Sequence, residues 1–177
     1  MARSDRSRKW LTVLMALSLA SIIVSARPTP ALADARTSPW VSPEAVATGL
    51  SAAAWPSLAF TSDGTEHAAW ETEGQIYYAA QMSEQGWSAP RKIASGRSPV
   101  LVADDLGHLH TLFVNQFMGN YEIYDVSLEN GAWSLPVNVS HTSGFSAFPT
   151  AIAGKAGALY VAWMDNSPGY WLSLIHI

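Results

Sequence analysis

Asp165 and Glu71 are the acids best placed to act on a substrate. Glu71 follows Trp70 directly, and Asp165 follows Trp163 by two residues. Two carboxylates facing each other can divide the acid and base work of glycosidic cleavage. A ligand-binding set gathers in neighbouring stretches: Arg97, Glu73, Asn115, Asn120 and Asn166. Amides and carboxylates hydrogen-bond sugar hydroxyls, aromatic faces stack on the C–H side, and the planar arginine fork holds a carboxylate bidentately. The competing reading of each is plainer, since charged groups at loop tips are commonly just solvated. Asp104 and Asp105 are adjacent, so their side chains diverge on extended chain, and they read as turn formers. His108 and His110 share a strand face. No third ligand lies near them in the sequence, so no metal is expected, and no cofactor is expected either.

These residues are positioned by a repeat. "WVSPEAV", "WSAPRKI" and "WSLPVNV", beginning at Trp40, Trp87 and Trp133, share the pattern W-x-x-P-x-x-[IV]. A second set of prolines, Pro56, Pro99 and Pro149, precedes the apolar runs "SLAF", "VLVA" and "TAIA". Counting from each, a glycine follows at the eighth residue (Gly64, Gly107, Gly157). His67, His110 or Tyr160 stands at the eleventh, and Trp70, Phe113 or Trp163 at the fourteenth. Repeats of about 40 to 50 residues built of short strands are the mark of propeller blades.

Each unit resolves into four strands. The first is the apolar run after proline. The glycine then makes a turn, and the second strand runs to the aromatic residue. Gln75–Gln81 and Tyr121–Ser127 are third strands, and W-x-x-P-x-x-[IV] is the fourth. Proline donates no ladder hydrogen bond, so it belongs on an edge, and a blade's outermost strand is one. The expected fold is all-β, a partial β-propeller. It comprises two complete four-stranded blades (about 55–95 and 98–140) and half of a third (about 148–171). Trp40–Val46 would be an N-terminal strand of the closing blade. Within such a fold the loops after the second and fourth strands share one face. That face would carry Glu71–Glu73, Arg97, Ser98, Asn115, Gln116, Asn120, Ser143–Phe148, Asp165 and Asn166.

The two ends read differently. Arg3, Arg6, Arg8 and Lys9 precede an uncharged stretch of 17 residues, Trp10–Ala26, and then "ALADA". Residues 1–35 therefore read as a signal peptide, with an uncleaved anchor as the alternative; spanning a bilayer usually takes about 20 residues. The terminal "LSLIHI", Leu172–Ile177, is the translation of CTG TCT CTT ATA CAC ATC. It resembles the transposase end joined to DNA fragments in some sequencing libraries, and is expected to be a non-native tail, set aside in reading the fold and the site, with an ordinary apolar strand as the alternative.

Between them, the chain after residue 35 has five basic and twelve acidic side chains, a net of −7. Nucleic-acid binding needs clustered lysine and arginine, which are absent. There is no cysteine, so neither disulfides nor thiolate chemistry contribute. The expected protein is secreted or at the cell surface of a bacterium.

The repeat residues resemble the sialidase-like β-propellers with Asp-box, or BNR, repeats. Members carry a turn S-x-D-x-G-x-x-W between third and fourth strands. "SEQGW" (Ser83–Trp87) and "LENGAW" (Leu128–Trp133) stand there, keeping the glycine and tryptophan while the aspartate is lost or displaced. The resemblance covers about 40–171. It implies enzymes that hold a sugar carboxylate with three arginines and use a Tyr/Glu nucleophile pair and an Asp acid/base. Arg97, two before Pro99, matches the first arginine, with Gly96 in place of the usual aromatic; Ala54 and Ala147 occupy the corresponding positions. The resemblance thus implies a protein that binds or hydrolyses extracellular glycan, with exo-sialidase-like hydrolysis only in a full-length protein. The alternative is a non-catalytic interaction module for a protein or cell-envelope partner. Membrane contact is expected only through an uncleaved signal segment.

Overall fold

Period-2 alternation after each repeat proline produces strands, and the turn glycines fold them back into antiparallel sheets. The computed structural model describes residues 42–46, 49, 52–82, 86–117 and 119–176. The expected signal peptide, 1–35, lies outside the described residues. Glu44–Ile177 forms one compact unit. Among the described residues there is no helix, hence none long and apolar enough to cross a membrane.

The first sheet runs in the order β1 (Ala54–Phe60), β2 (Glu66–Thr72), β3 (Gln75–Ala80), β4 (Arg91–Ser95). The second contains β5 (Arg97–Ala103), β6 (Leu109–Phe117), β7 (Asn120–Glu129) and β8 (Ala132–Trp133), with β9 (Val137–Asn138) also pairing β7. The third is β10 (Ser146–Ala153), β11 (Leu159–Asp165) and β12 (Leu172–His176). The all-β expectation and the three repeat units therefore appear as three antiparallel sheets.

Three details differ from the sequence reading. The W-x-x-P strand is broken at its proline. Trp87 makes one bridge to Gln81 and β4 starts only after Pro90, while Pro136 separates β8 from β9. A residue without an N–H interrupts the ladder, which resumes beyond it. Of the expected closing-blade strand, Trp40 and Val41 lie outside the described residues, and 42–46 pair with no strand among the described ones. An outer strand has a single ladder, to its own blade's third strand, and no such partner is present among the described residues. Val46 instead packs on Ala68, Trp70 and Ala79. The segment excluded as a tail pairs along β11, from Asp165↔Leu172 to Val161↔His176. Leu172 and Leu174 are half-buried and Ser173 and Ile175 exposed, the alternation a strand needs.

A feature the sequence did not announce recurs in every sheet. Trp55, Ser98 and Phe148, each just before the repeat proline, have φ of 53°, 52° and 52°. Each lies within a register shift: Ala54/Ser57, Arg97/Val100 and Ala147/Thr150. These are β-bulges, one extra residue that bends the strand and re-aims its start.

The core is a set of face-to-face junctions. Ala59, Ala69, Leu101 and Leu109 pack together, as do Ile76, Ala94, Phe113 and Val126, joining the first and second sheets. Leu112, Ile123, Val161 and Trp163 join the second and third. Fully burying one such aliphatic side chain contributes about 1.5–3 kcal/mol.

Candidate functional site

The two-residue turn Glu73–Gly74 between β2 and β3 has φ of 52° and 73°, the left-handed pair of a type I′ hairpin. It places Glu71, Thr72 and Glu73 at one end of the first sheet. The β6–β7 connection and the bulged starts of β5 and β10 contribute the rest of the expected set.

The structure sorts that set into two groups. The smaller one joins the first and second sheets. Glu71 Oε2 accepts a hydrogen bond from the Ser98 amide at 3.1 Å, so the acid following Trp70 ties the bulge of the next sheet. Arg97, beside it, is exposed and makes no side-chain hydrogen bond or ion pair among the described residues. Glu73 is exposed.

The larger group joins the second and third sheets around two buried carboxylates. Asn120 Nδ2 donates to Glu122 Oε1 at 2.6 Å and to the Thr142 carbonyl at 3.1 Å. Glu122 Oε2 accepts from the Ser140 hydroxyl and, at 3.2 Å, from the Thr142 amide. Thr142 Oγ1 lies 2.9 Å from Ser146 Oγ, which donates to Asp165 Oδ2 at 3.1 Å. The Ser167 amide donates to Asp165 Oδ1 at 2.8 Å. A continuous polar chain thus runs Asn120–Glu122–Thr142–Ser146–Asp165. Asn166 borders it, its Oδ1 accepting from the Phe145 amide at 2.6 Å. Asn115 does not join: its Oδ1 accepts from the adjacent Gln116 amide at 2.8 Å. Tyr121 and Phe145 make an edge-to-face pair at 5.7 Å beside the chain, and Phe145 is exposed.

Asp165 is 1% exposed. Burial pushes its carboxyl up, but the hydrogen bonds from Ser167, Thr142 and Ser146 outweigh this and hold it below the usual aspartate value. It is therefore ionised at neutral pH. An ionised, fully engaged carboxylate can orient hydroxyls and accept hydrogen bonds; it holds no proton to donate.

Glu122 was missed by sequence reasoning. It alternates with Tyr124 and Val126 on one face of β7, so an acid stood in an apolar stripe; that was the available signal. Ser140 and Thr142 carry no such mark.

The histidines and turn acids resolve separately. His108 Nδ1 is 3.0 Å from Asp104 Oδ2 and His110 Nδ1 is 2.9 Å from Asp125 Oδ2. No cluster suited to a metal ion exists among the described residues. Asp104 Oδ1 accepts from the Leu106 and His108 amides within its own turn. Asp105 reaches the third sheet, where its two oxygens accept from the Ala156 and Gly157 amides at 2.8 and 2.7 Å.

No protein-family model and no curated protein matches the chain. Among solved structures, it is similar to the crystal structure of an endo-arabinase from Bacteroides thetaiotaomicron VPI-5482, at 14% identity and a TM-score of 0.54. The match covers 76% of this chain and 59% of that one. At this identity the likeness speaks for the fold: an all-β arrangement of antiparallel sheets shared with a known protein.

Proposed function

We propose that this chain is part of an exported, sialidase-like β-propeller whose loop face binds extracellular glycan. The observation that carries the reading is the rim held in place by the buried carboxylates Glu122 and Asp165: Asn120, Thr142 and the Tyr121–Phe145 pair. That rim offers the amide, hydroxyl and aromatic groups that sugars engage. Similarity to an endo-arabinase supports a carbohydrate as the ligand class. Arg97 supplies an unengaged guanidinium on the neighbouring sheet, suited to an acidic sugar.

Binding is favoured over cleavage by a specific feature. Asp165 is buried, ionised and fully hydrogen-bonded, and Glu71 is committed to Ser98, so neither is poised as a proton donor. The same feature supports the alternative of a non-catalytic module for a cell-surface protein.

Calorimetric titration with sialyllactose and with an arabino-oligosaccharide separates the readings. We expect Phe145→Ala to weaken any sugar binding by about tenfold or more, equivalent to about 1.4 kcal/mol. Arg97→Ala should weaken only sialyllactose. The chain itself should not hydrolyse a sialoside. Absence of binding to either sugar would sink the glycan reading and leave the protein-partner one.

A further inference from the structure

Two side-chain amides adjoin the Phe145 segment, and each keeps one side unused. Asn120 Nδ2 uses both its hydrogens, on Glu122 Oε1 at 2.6 Å and on the Thr142 carbonyl at 3.1 Å. Both partners are acceptors, so the amide cannot be turned round. Its Oδ1 makes no hydrogen bond among the described residues and is left as an acceptor. Asn166 is the reverse case. Its Oδ1 takes the Phe145 amide hydrogen at 2.6 Å, which leaves the two Nδ2 hydrogens to donate. The segment between these amides is pinned. Gly144 donates its amide to Ser167 Oγ at 3.0 Å, and the Asn166 amide donates to the Phe145 carbonyl at 3.2 Å. A Cβ at Gly144 would lie 2.4 Å from the Ser167 nitrogen and 2.6 Å from Asn166 Oδ1, so glycine is what lets the two loops meet. An exposed Phe145 ring held between fixed amides needs little ordering on binding.

Charge at this junction is one-sided. The stretches that form it, 117–120, 139–145 and 166–171, contain no lysine and no arginine. The acids they close over are Glu122 and Asp165, both buried. The cations of the described residues stand elsewhere: Arg91 and Lys92 on β4, Arg97 at the start of β5, and Lys155 in the turn between β10 and β11. His141, exposed, is the basic side chain here. A sugar carboxylate at this place would meet acids without a guanidinium or ammonium, and it has no hydrogen to give Asn120 Oδ1. A hydroxyl both donates and accepts. Neighbouring hydroxyls of a neutral ring therefore satisfy both amides while the C–H face of the ring lies on Phe145. We propose that the junction of the second and third sheets is a subsite for a neutral sugar residue and rejects acidic ones, with Asn120 accepting from one hydroxyl, Asn166 donating to another and Phe145 stacking on the ring. The inference rests on the glycan reading above and adds the class of sugar. An acidic residue of the same ligand is left to Arg97.

Amide proton–nitrogen NMR spectra of the full 177-residue chain test this, at about pH 8, where an imidazole carries little charge. The probes are lactose, an arabino-oligosaccharide and the methyl glycoside of sialic acid, each to about 50 mM, a range that reaches millimolar affinities. We expect at least one neutral sugar to move the amides of Thr142, Phe145 and Ser167, and the sialoside to leave them in place. Asn166→Asp keeps the oxygen that accepts from Phe145 and removes the two donors. It should weaken the neutral sugar by about tenfold with the rest of the spectrum unchanged, which shows that the fold is intact. Movement of these amides by the sialoside at equal or lower concentration overturns the proposal and leaves the glycan reading standing. So does a neutral sugar that binds elsewhere, or binds here with indifference to Asn166→Asp. If no probe moves any amide, the proposal and the glycan reading fall together.

Discussion

His67 and His110 occupy the same place in successive repeats, yet they titrate in opposite senses. His67 lies between Tyr78 OH at 2.8 Å and Thr61 Oγ1 at 3.0 Å. Burial lowers its pKa below the ordinary 6.5, against a smaller upward pull from Asp63. His110 is raised above 6.5, chiefly by the bond to Asp125, with burial opposing and Asp104 and Glu129 adding to the rise. The signs follow by linkage. The His110 contribution to stability is full below the ordinary value and lost as pH rises through the folded one. The His67 contribution is full above the ordinary value and lost as pH falls through the folded one. His110→Gln should therefore lower the urea midpoint at about pH 5.5 more than at about pH 8. His67→Gln should show the reverse trend. Equal shifts at both pH values would refute the assignment. That both histidines are built into the sheets was readable from their shared phase. Their opposite titration was not, because it depends on the third-strand partner, Tyr78 in one sheet and Asp125 in the next. The same limit hid the candidate site. Asp165, Asn120 and Asn166 were readable as polar groups at one end of the sheets. Their union through Glu122 and Thr142 required the distance between two sheets.

At the level of the element, the prolines, glycines and alternating apolar residues made strands and turns readable to within a few residues. The bulges were not. A residue before proline is biased toward extended conformations, so nothing local marks Trp55, Ser98 and Phe148 as left-handed. Sheet packing overrides that bias, at a cost of roughly 1–2 kcal/mol per non-glycine residue. The start of β5 shows why this stretch is tightly specified. A Cβ added to Gly96 would lie 2.4 Å from Phe113 Cδ2 and 2.8 Å from the Val114 carbonyl oxygen. Glycine stands there because β6 presses on the chain. Gly96→Ala should destabilise the fold by about 1–3 kcal/mol, the range for overpacking, read as a lower urea midpoint with unchanged slope. A neutral result would mean that Phe113 moves aside freely, and the bulge would not be pinned by this contact. The broken outer strands teach a related lesson. The proline signal placed them correctly on an edge, but an edge strand with one ladder has no second partner to bridge the missing donor.

For the molecule as a whole, contacts run from each sheet to its neighbour, so stability is close to a sum of sheets and nearest-neighbour junctions. The repeat phase made three successive units readable in advance, but which residues face the preceding sheet and which the following one came only with the packing between sheets. It could not rank the junctions. The turn-to-turn clamp at Asp105 is a property of the second junction: the equivalent residue in the first sheet is Ser62, which carries no charge. A carboxylate accepting two backbone N–H groups makes a strong form of hydrogen bond, each contributing about 1.5–3 kcal/mol before solvent exposure weakens it. Asp105 is exposed, so a total of about 1–2 kcal/mol for Asp105→Ala is the reasonable expectation. The loss should be local. Hydrogen exchange should accelerate at Ala156, Gly157 and along β10 and β11, while the amides of β2 and β3 keep their protection. Asp105→Asn, which keeps an acceptor but no charge, should fall between. If instead protection drops evenly across all three sheets, the chain folds as one cooperative block, and the junction-by-junction account of its stability is wrong.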